Sequence, residues 1–277
     1  MRRREFIAGL GGAAAWPVAL RAQPAERVRR IGVLMPYDEN DPAVKTRVFA
    51  FTQALADLGW TDGANMRMDL RWAGSETDRI RASAQELVGL QPDIVLPNGM
   101  PATAAVQRET RTIPIVFVNV PDPVASRIVA RLDRPGGNST GFASEETSLG
   151  GKWLEVLSEI APGLKRAAIM FNPDIFPVST FLPSFETAAR SLKVVPITAP
   201  VHSNAEIETA IIALGRKPGG GLVVMPDLFM IVHRAPIISA AARNNVPAVY
   251  PQSSFARDGG LLSYGVDQVD TFRRAAT

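Results

Sequence analysis

From Arg30 onward the chain alternates between two patterns: short β-branched runs closed by turns, and longer stretches with apolar residues recurring at three- and four-residue spacing. In the first half these predict strands over 31–35, 66–72, 94–96 and 115–118, with helices over 43–58, 76–90 and 102–110 between them. Phe51, Leu55 and Leu58 mark the apolar stripe of the first helix. The second half restarts the alternation, with helices over 153–160, 181–192, 205–214 and 231–244 and strands over 167–171, 194–197, 222–225 and 248–250. Strands that alternate with helices predict an α/β fold built on parallel sheets.

Two arrays of similar size imply two lobes. The polar, Gly-rich segment 134–141 interrupts the pattern and is read as the crossing between them. The last apolar strand, 261–264, is expected to return to the first lobe, so that 28–140 plus 261–277 form lobe 1 and 141–260 form lobe 2. Right-handed crossovers put the C-terminal strand ends of each lobe on one edge, where open α/β sheets bind ligands. Two such edges facing each other make a cleft.

The first 22 residues belong to neither array. Arg2, Arg3 and Arg4 precede Glu5-Phe6-Ile7 and a Gly/Ala-rich apolar stretch that runs to Leu20, and Ala22 supplies a small residue before a polar start. A basic region, a short apolar region and a cleavage site form a secretory signal, and the paired arginines resemble the twin-arginine variant. The mature protein is therefore expected in the periplasm, cut near Ala22. Phe6 to Leu20 is too short for a retained anchor, which needs roughly 20 apolar residues.

Removing the leader changes the charge picture. The whole chain carries 30 Lys and Arg against 27 Asp and Glu; the leader holds four of the former and one of the latter, leaving 26 of each. A neutral mature chain argues against nucleic acid or an anionic membrane as partner. No Cys occurs, which excludes disulfides, thiolate metal sites, a Cys nucleophile and a lipidated Cys.

Catalytic patterns are missing. The two histidines, His202 and His233, stand in no triad or metal-ligand spacing and read as surface residues. Gly150-Gly151-Lys152-Trp153 lacks the preceding loop and the Ser/Thr of a phosphate-binding P-loop. Gly219-Gly220-Gly221 precedes a strand, so a tight turn accounts for it better than a phosphate cradle. The expectation is a protein that is not an enzyme and uses no metal or cofactor.

Polar residues collect instead at the strand-to-helix turns. In lobe 1, Asn98 and Gly99 open a helix whose free N–H groups suit a carboxylate, with Thr103 adding a hydroxyl, and Asn119 and Asp122 follow the next strand between prolines. In lobe 2 the matching turns offer Asn172, Asp227 and Gln252, while Phe176, Phe229 and Tyr250 can wall an organic ligand. Asn98, Gly99, Thr103, Asn119, Asp122, Asn172, Phe176, Asp227 and Tyr250 form the candidate ligand set.

Longer stretches carry a family likeness. Gly59-Trp60-Thr61-Asp62-Gly63-Ala64-Asn65, Leu70-Arg71-Trp72-Ala73, Ile113-Pro114-Ile115-Val116-Phe117, Asp122-Pro123-Val124 and Arg134-Pro135-Gly136-Gly137-Asn138-Ser139-Thr140-Gly141-Phe142 resemble the ABC transporter substrate-binding proteins related to tryptophan/tyrosine-binding proteins. The resemblance implies a type 1 periplasmic-binding fold, two Rossmann-like lobes with a hinge, feeding a membrane permease. It also implies a further helix and strand beyond the equivalent of Thr277, so the chain reads as C-terminally truncated, and Arg127 stands where a small residue is expected. The function expected is a monomeric solute-binding protein that delivers a small ligand, such as an aromatic or apolar amino acid or related carboxylate, to an ABC importer by cleft closure. The alternatives are a ligand-sensing periplasmic domain of the same fold that partners a receptor, a repressor being disfavoured because it needs a basic helix-turn-helix where this chain carries a signal, and an exported hydrolase, for which no activated nucleophile or carboxylate pair stands out.

Overall fold

The computed structural model describes residues 27–277, and the leader lies outside them. Strands β1 (Arg29–Met35), β2 (Met66–Trp72), β3 (Ile94–Pro97), β4 (Ile115–Val120) and β5 (Ser139–Ala143) form one sheet in the order β2-β1-β3-β4-β5. Strands β6 (Arg166–Phe171), β7 (Val195–Pro200), β8 (Gly220–Val224), β9 (Ala248–Tyr250) and β10 (Leu262–Ser263) form the other, ordered β10-β9-β8-β6-β7. Every pairing is parallel. Parallel sheets need cover on both faces, which is why β1, β6 and β8 read as nearly continuous apolar runs.

The cover comes from helices α1 (Pro42–Asp57), α2 (Thr77–Gly89) and α3 (Gly99–Glu109) on the first sheet, and α4 (Leu149–Ile160), α5 (Leu182–Leu192) and α6 (Asn204–Gly215) on the second. Shorter helices follow: α7 (Leu228–Val232), α8 (Arg234–Arg243), α9 (Ser253–Arg257) and α10 (Gln268–Arg274). The start of α1 is written locally. Asp41 accepts the Ala43 N–H at 2.9 Å and Pro42 takes the first position, where a missing N–H costs nothing. The helix expected over 231–244 breaks at His233, whose ring lies 4.0 Å from that of Phe229 with Nδ1 2.8 Å from the Phe229 carbonyl. His233 is thus half-buried packing, while His202 is exposed beside Glu206. No described helix is long and apolar enough to cross a membrane.

Two boundary expectations are corrected. The segment 134–141 does not cross between lobes: its end forms β5, where Ile115 donates to the Asn138 carbonyl at 2.8 Å and the Asn138 amide donates to the Ile113 carbonyl at 2.7 Å. Gly141 is required by close approach, since a side chain there would collide with the Phe117 carbonyl across the ladder. The chain passes to the second lobe only after Ala143.

The strand expected to return to lobe 1 likewise stays in the second sheet. Leu262 pairs with Val249 and Ser263 with Tyr250, and the Trp153 indole holds the next residue by donating to the Tyr264 carbonyl at 2.7 Å. The return is made by α10, which packs on α1 and β4 with Phe272 fully buried and Arg274 over the Phe142 ring at 5.2 Å.

Candidate functional site

Because the strands of each sheet run in one direction, their C-terminal turns gather on one edge, and the two edges face each other across a cleft of about 550 Å³ including its mouth. Wider hollows of about 980 and 1000 Å³ exist elsewhere, but they bring together none of the buried, unpartnered polar groups found at the cleft. Chemistry, not size, singles it out.

Lobe 1 contributes Tyr37 just after β1, Gly99 and Met100 at the start of α3, and Asn119 at the end of β4. Gly99 has φ +78°, a left-handed entry to α3 at residues that line the cleft. No side chain caps that helix, and α3 begins three residues before the expected start at Ala102. Asn119 has φ +58° at an irregularity in the β4–β5 register, a conformation that Asn tolerates better than most residues. Its amide donates to Asn98 Oδ1 at 2.7 Å, leaving Asn98 Nδ2 and Asn119 Oδ1 buried without partners.

The segment between the lobes brings Ser144 and Glu145, both buried. Neither Glu145 oxygen has a hydrogen-bond partner among the described residues, and burial pushes its carboxyl up to about 7, against a smaller opposing pull from Ser144 and Arg47. Gln268, first residue of α10, also lines the cleft with both amide atoms unpartnered.

Lobe 2 supplies Phe176, Asp227 and Gln252. Phe176 stacks on Phe181 at 5.5 Å, and Phe181 in turn on Trp153 at 6.0 Å, so the aromatic wall is anchored in the lobe core. Asp227 caps α7 through the Met230 N–H at 2.8 Å and receives the Asn172 N–H at 2.9 Å. Burial pushes its carboxyl up to about 7 despite those donors. Among the described residues no group of His, Asp and Glu side chains could hold a metal ion.

Among the described residues two side-chain bonds cross between the lobes. Arg47 of α1 donates to Gln252 Oε1 at 2.9 Å, with its guanidinium 5.8 Å from the centre of the Tyr37 ring and Nη1 unpartnered. Arg234 of α8 donates to Asp41 Oδ2 at 2.8 Å.

Of the nine candidates, Gly99, Asn119, Phe176 and Asp227 line the cleft, and Asn98 lies directly beneath, bonded to Asn119. The other four do other work. The Thr103 hydroxyl donates to the Gly99 carbonyl at 2.7 Å inside its own helix. Asp122, at φ +35°, accepts the Ala125 N–H at 3.0 Å and shapes a turn. Asn172 accepts the Asp174 N–H at 2.9 Å and braces Asp227 through its backbone. Tyr250 stacks on Phe255 at 4.9 Å within lobe 2, where burial pushes its hydroxyl up to about 12. Phe229 packs on His233, and Arg127 is exposed away from the cleft at φ +56°.

Tyr37, Arg47, Glu145 and Gln268 escaped the sequence reading. Arg47 left a signal, a charge on the apolar stripe between Val44, Val48 and Phe51. Tyr37 closes a strand-to-helix turn like the others.

Residues 30–277 match the family model described as ABC transporter substrate binding protein. A tyrosine-binding protein of Clostridioides difficile (strain R20291) is 26% identical over 246 residues, 88% of this chain and 69% of that one. Among solved structures, a conserved domain protein from Vibrio cholerae O1 biovar El Tor superposes with TM-score 0.82 at 24% identity, covering 90% of this chain and 83% of that one. An ABC domain from Streptococcus pneumoniae in complex with L-Trp gives 0.81 at 20% identity over 90% and 82%. The ligand-free, open structure of a substrate-binding protein with adhesive properties from Clostridium difficile gives 0.65 at 22% identity over 90% and 83%. The two parallel-sheet lobes thus have the type 1 periplasmic-binding fold. With a family model spanning nearly every described residue, the chain belongs to the ABC transporter substrate-binding proteins, extracytoplasmic solute-binding proteins that are not enzymes.

Proposed function

We propose that the protein is exported, folds as two lobes around the cleft, and carries a small amino-acid-type ligand to an ABC permease at the inner membrane by closing on it. The observation that carries this reading is the cleft itself, a space between the lobes where buried polar groups stand without partners beside an anchored aromatic wall. Unmade hydrogen bonds at buried groups are costly, and a ligand that makes them recovers that cost.

The N–H groups of Gly99 and Met100 and the Gln268 amide suit a carboxylate, with Phe176 and Tyr37 flanking the ligand's apolar part. Asn98 and Asn119 shape the floor, and Asp227 holds the lobe 2 turn in place. The printed ligands of two relatives, tyrosine and L-Trp, favour an aromatic amino acid. Lobe closure draws support from the better superposition on the Trp complex than on the open, ligand-free structure at similar coverage.

A thermal-shift screen of the mature protein against amino acids and their carboxylate analogues tests the reading. A ligand at 100 times its Kd adds about 2.7 kcal/mol to stability. The absence of any shift across the panel at millimolar concentration would remove it.

A further inference from the structure

We propose that Glu145 is the cleft group that takes a ligand's ammonium, and that the protein releases a proton to solution when it does so. This rests on the cleft being the solute site and adds what it recognises there.

The geometry leaves few alternatives. Two carboxyl groups line the cleft, Glu145 and Asp227. The oxygens of Asp227 are occupied by the backbone N–H groups of Met230 and Asn172, whereas Glu145 is 2% exposed and both its oxygens are unpartnered. Its backbone is held in place: Ser144 donates to the Val120 carbonyl at 3.1 Å and the Glu145 carbonyl accepts from Asp122 at 3.4 Å. The Glu145 backbone is thus held at the crossing between lobes.

The groups that act on it are the hydroxyl of its chain neighbour Ser144 and the charge of Arg47 from α1, while Tyr37 from the turn after β1 and Asp227 from the turn after β8 line the same cleft. Arg47 attracts it without a hydrogen bond and does not itself line the cleft. Tyr37 is buried, and burial raises its hydroxyl further above neutrality, so it stays neutral. Among the described residues no group hydrogen-bonds either Glu145 oxygen, and a ligand ammonium supplies the partner that the cleft lacks.

A buried carboxyl without a partner holds its proton to about pH 7. An ammonium placed against it favours the charged form, so near neutral pH a fraction of a proton leaves per ligand bound. Release should rise toward pH 6 and fade by pH 8. Affinity should fall below neutrality, by at most about tenfold per pH unit, because an uncharged Glu145 gives the ammonium no counter-charge.

The test is calorimetric titration of the mature protein with the L-amino acids, their deaminated carboxylates and their decarboxylated amines, in buffers of different ionisation enthalpy. An amino acid that binds at least about tenfold tighter than its deaminated analogue, with proton release near pH 7, is the expected result. Glu145→Gln should abolish the release and most of that preference. Equal binding of the deaminated carboxylate, or proton release that survives in Glu145→Gln, would overturn the assignment and leave the solute-binding reading standing. No binding by any member of the panel would overturn both. The comparison of analogues and the proton count on the unaltered protein need no variant to fold.

Discussion

The Asp41–Arg234 contact is a latch between lobes that can be cut without touching the cleft. Arg234 reaches across from α8, Nη1 to Asp41 Oδ2 at 2.8 Å, while its Nε holds Asp258 Oδ2 of its own lobe at 2.6 Å. The Arg234 and Asp41 side chains are only 16% and 12% exposed, so screening is partial. A charge-assisted bond is worth about 1.5 to 3 kcal/mol, and discounting for exposure leaves roughly 1 to 2.

Asp41→Asn is the cleaner perturbation, because Asn still offers an oxygen to the Ala43 N–H and so retains the α1 cap. Removing roughly 1 to 2 kcal/mol shifts the open–closed equilibrium by about 5- to 30-fold toward open. If the closed form is the minor one without ligand, apparent affinity falls by the same factor. Isothermal titration with an identified ligand, paired with small-angle scattering of the free protein, reads both quantities. Arg234→Gln and the double variant complete a cycle in which the two losses should not add. Additive effects, with scattering profiles identical to the parent, would show that the contact does not hold the lobes together.

Glu145→Gln should change the pH dependence of stability. The parent's folded-state value is raised to about 7 from 4.5, so its contribution is fully present below about pH 4.5 and lost as pH rises toward 7. The variant should therefore be more stable than the parent at pH 8 by roughly 1 to 3 kcal/mol, with a flatter profile between, read by urea unfolding; a parent-like profile refutes it. Gly99→Ala should cost about 1 to 2 kcal/mol, because φ +78° is unfavourable for a residue with a Cβ, and should weaken ligand binding by disturbing the start of α3; unaltered denaturation would count against a strained entry. Replacing Arg3 and Arg4 by Lys should hold the precursor in the cytoplasm on cell fractionation, and normal periplasmic accumulation would remove the twin-arginine assignment.

Much of the cleft was legible because parallel sheets constrain where turns can go. Asn98, Gly99, Asn119, Phe176 and Asp227 were found as residues just beyond predicted strands, and all lie at or directly under the cleft. The same logic overreached at Thr103, Asn172 and Tyr250, since position along the chain does not reveal whether a side chain points into a gap or back onto its own backbone or lobe. Glu145 and Gln268 were invisible for a related reason: Glu145 sits in the segment between lobes outside any strand or helix, and Gln268 opens a helix of seven residues, too short for a period to assign it a direction.

By itself the sequence determined the α/β alternation, two sheets, the edges that carry the site and the family, because each rests on local periodicity or on motifs read residue by residue. Which lobe owned the last strand, where the chain crossed, and which polar groups were left without partners were decided only by tertiary structure. Leu262–Ser263 pairs with β9 instead of the first sheet, and Arg47 meets Gln252 across 205 residues of chain. Such pairings depend on how the lobes face each other, and burial turns that relation into energy by deciding which charges lose water and which find a partner.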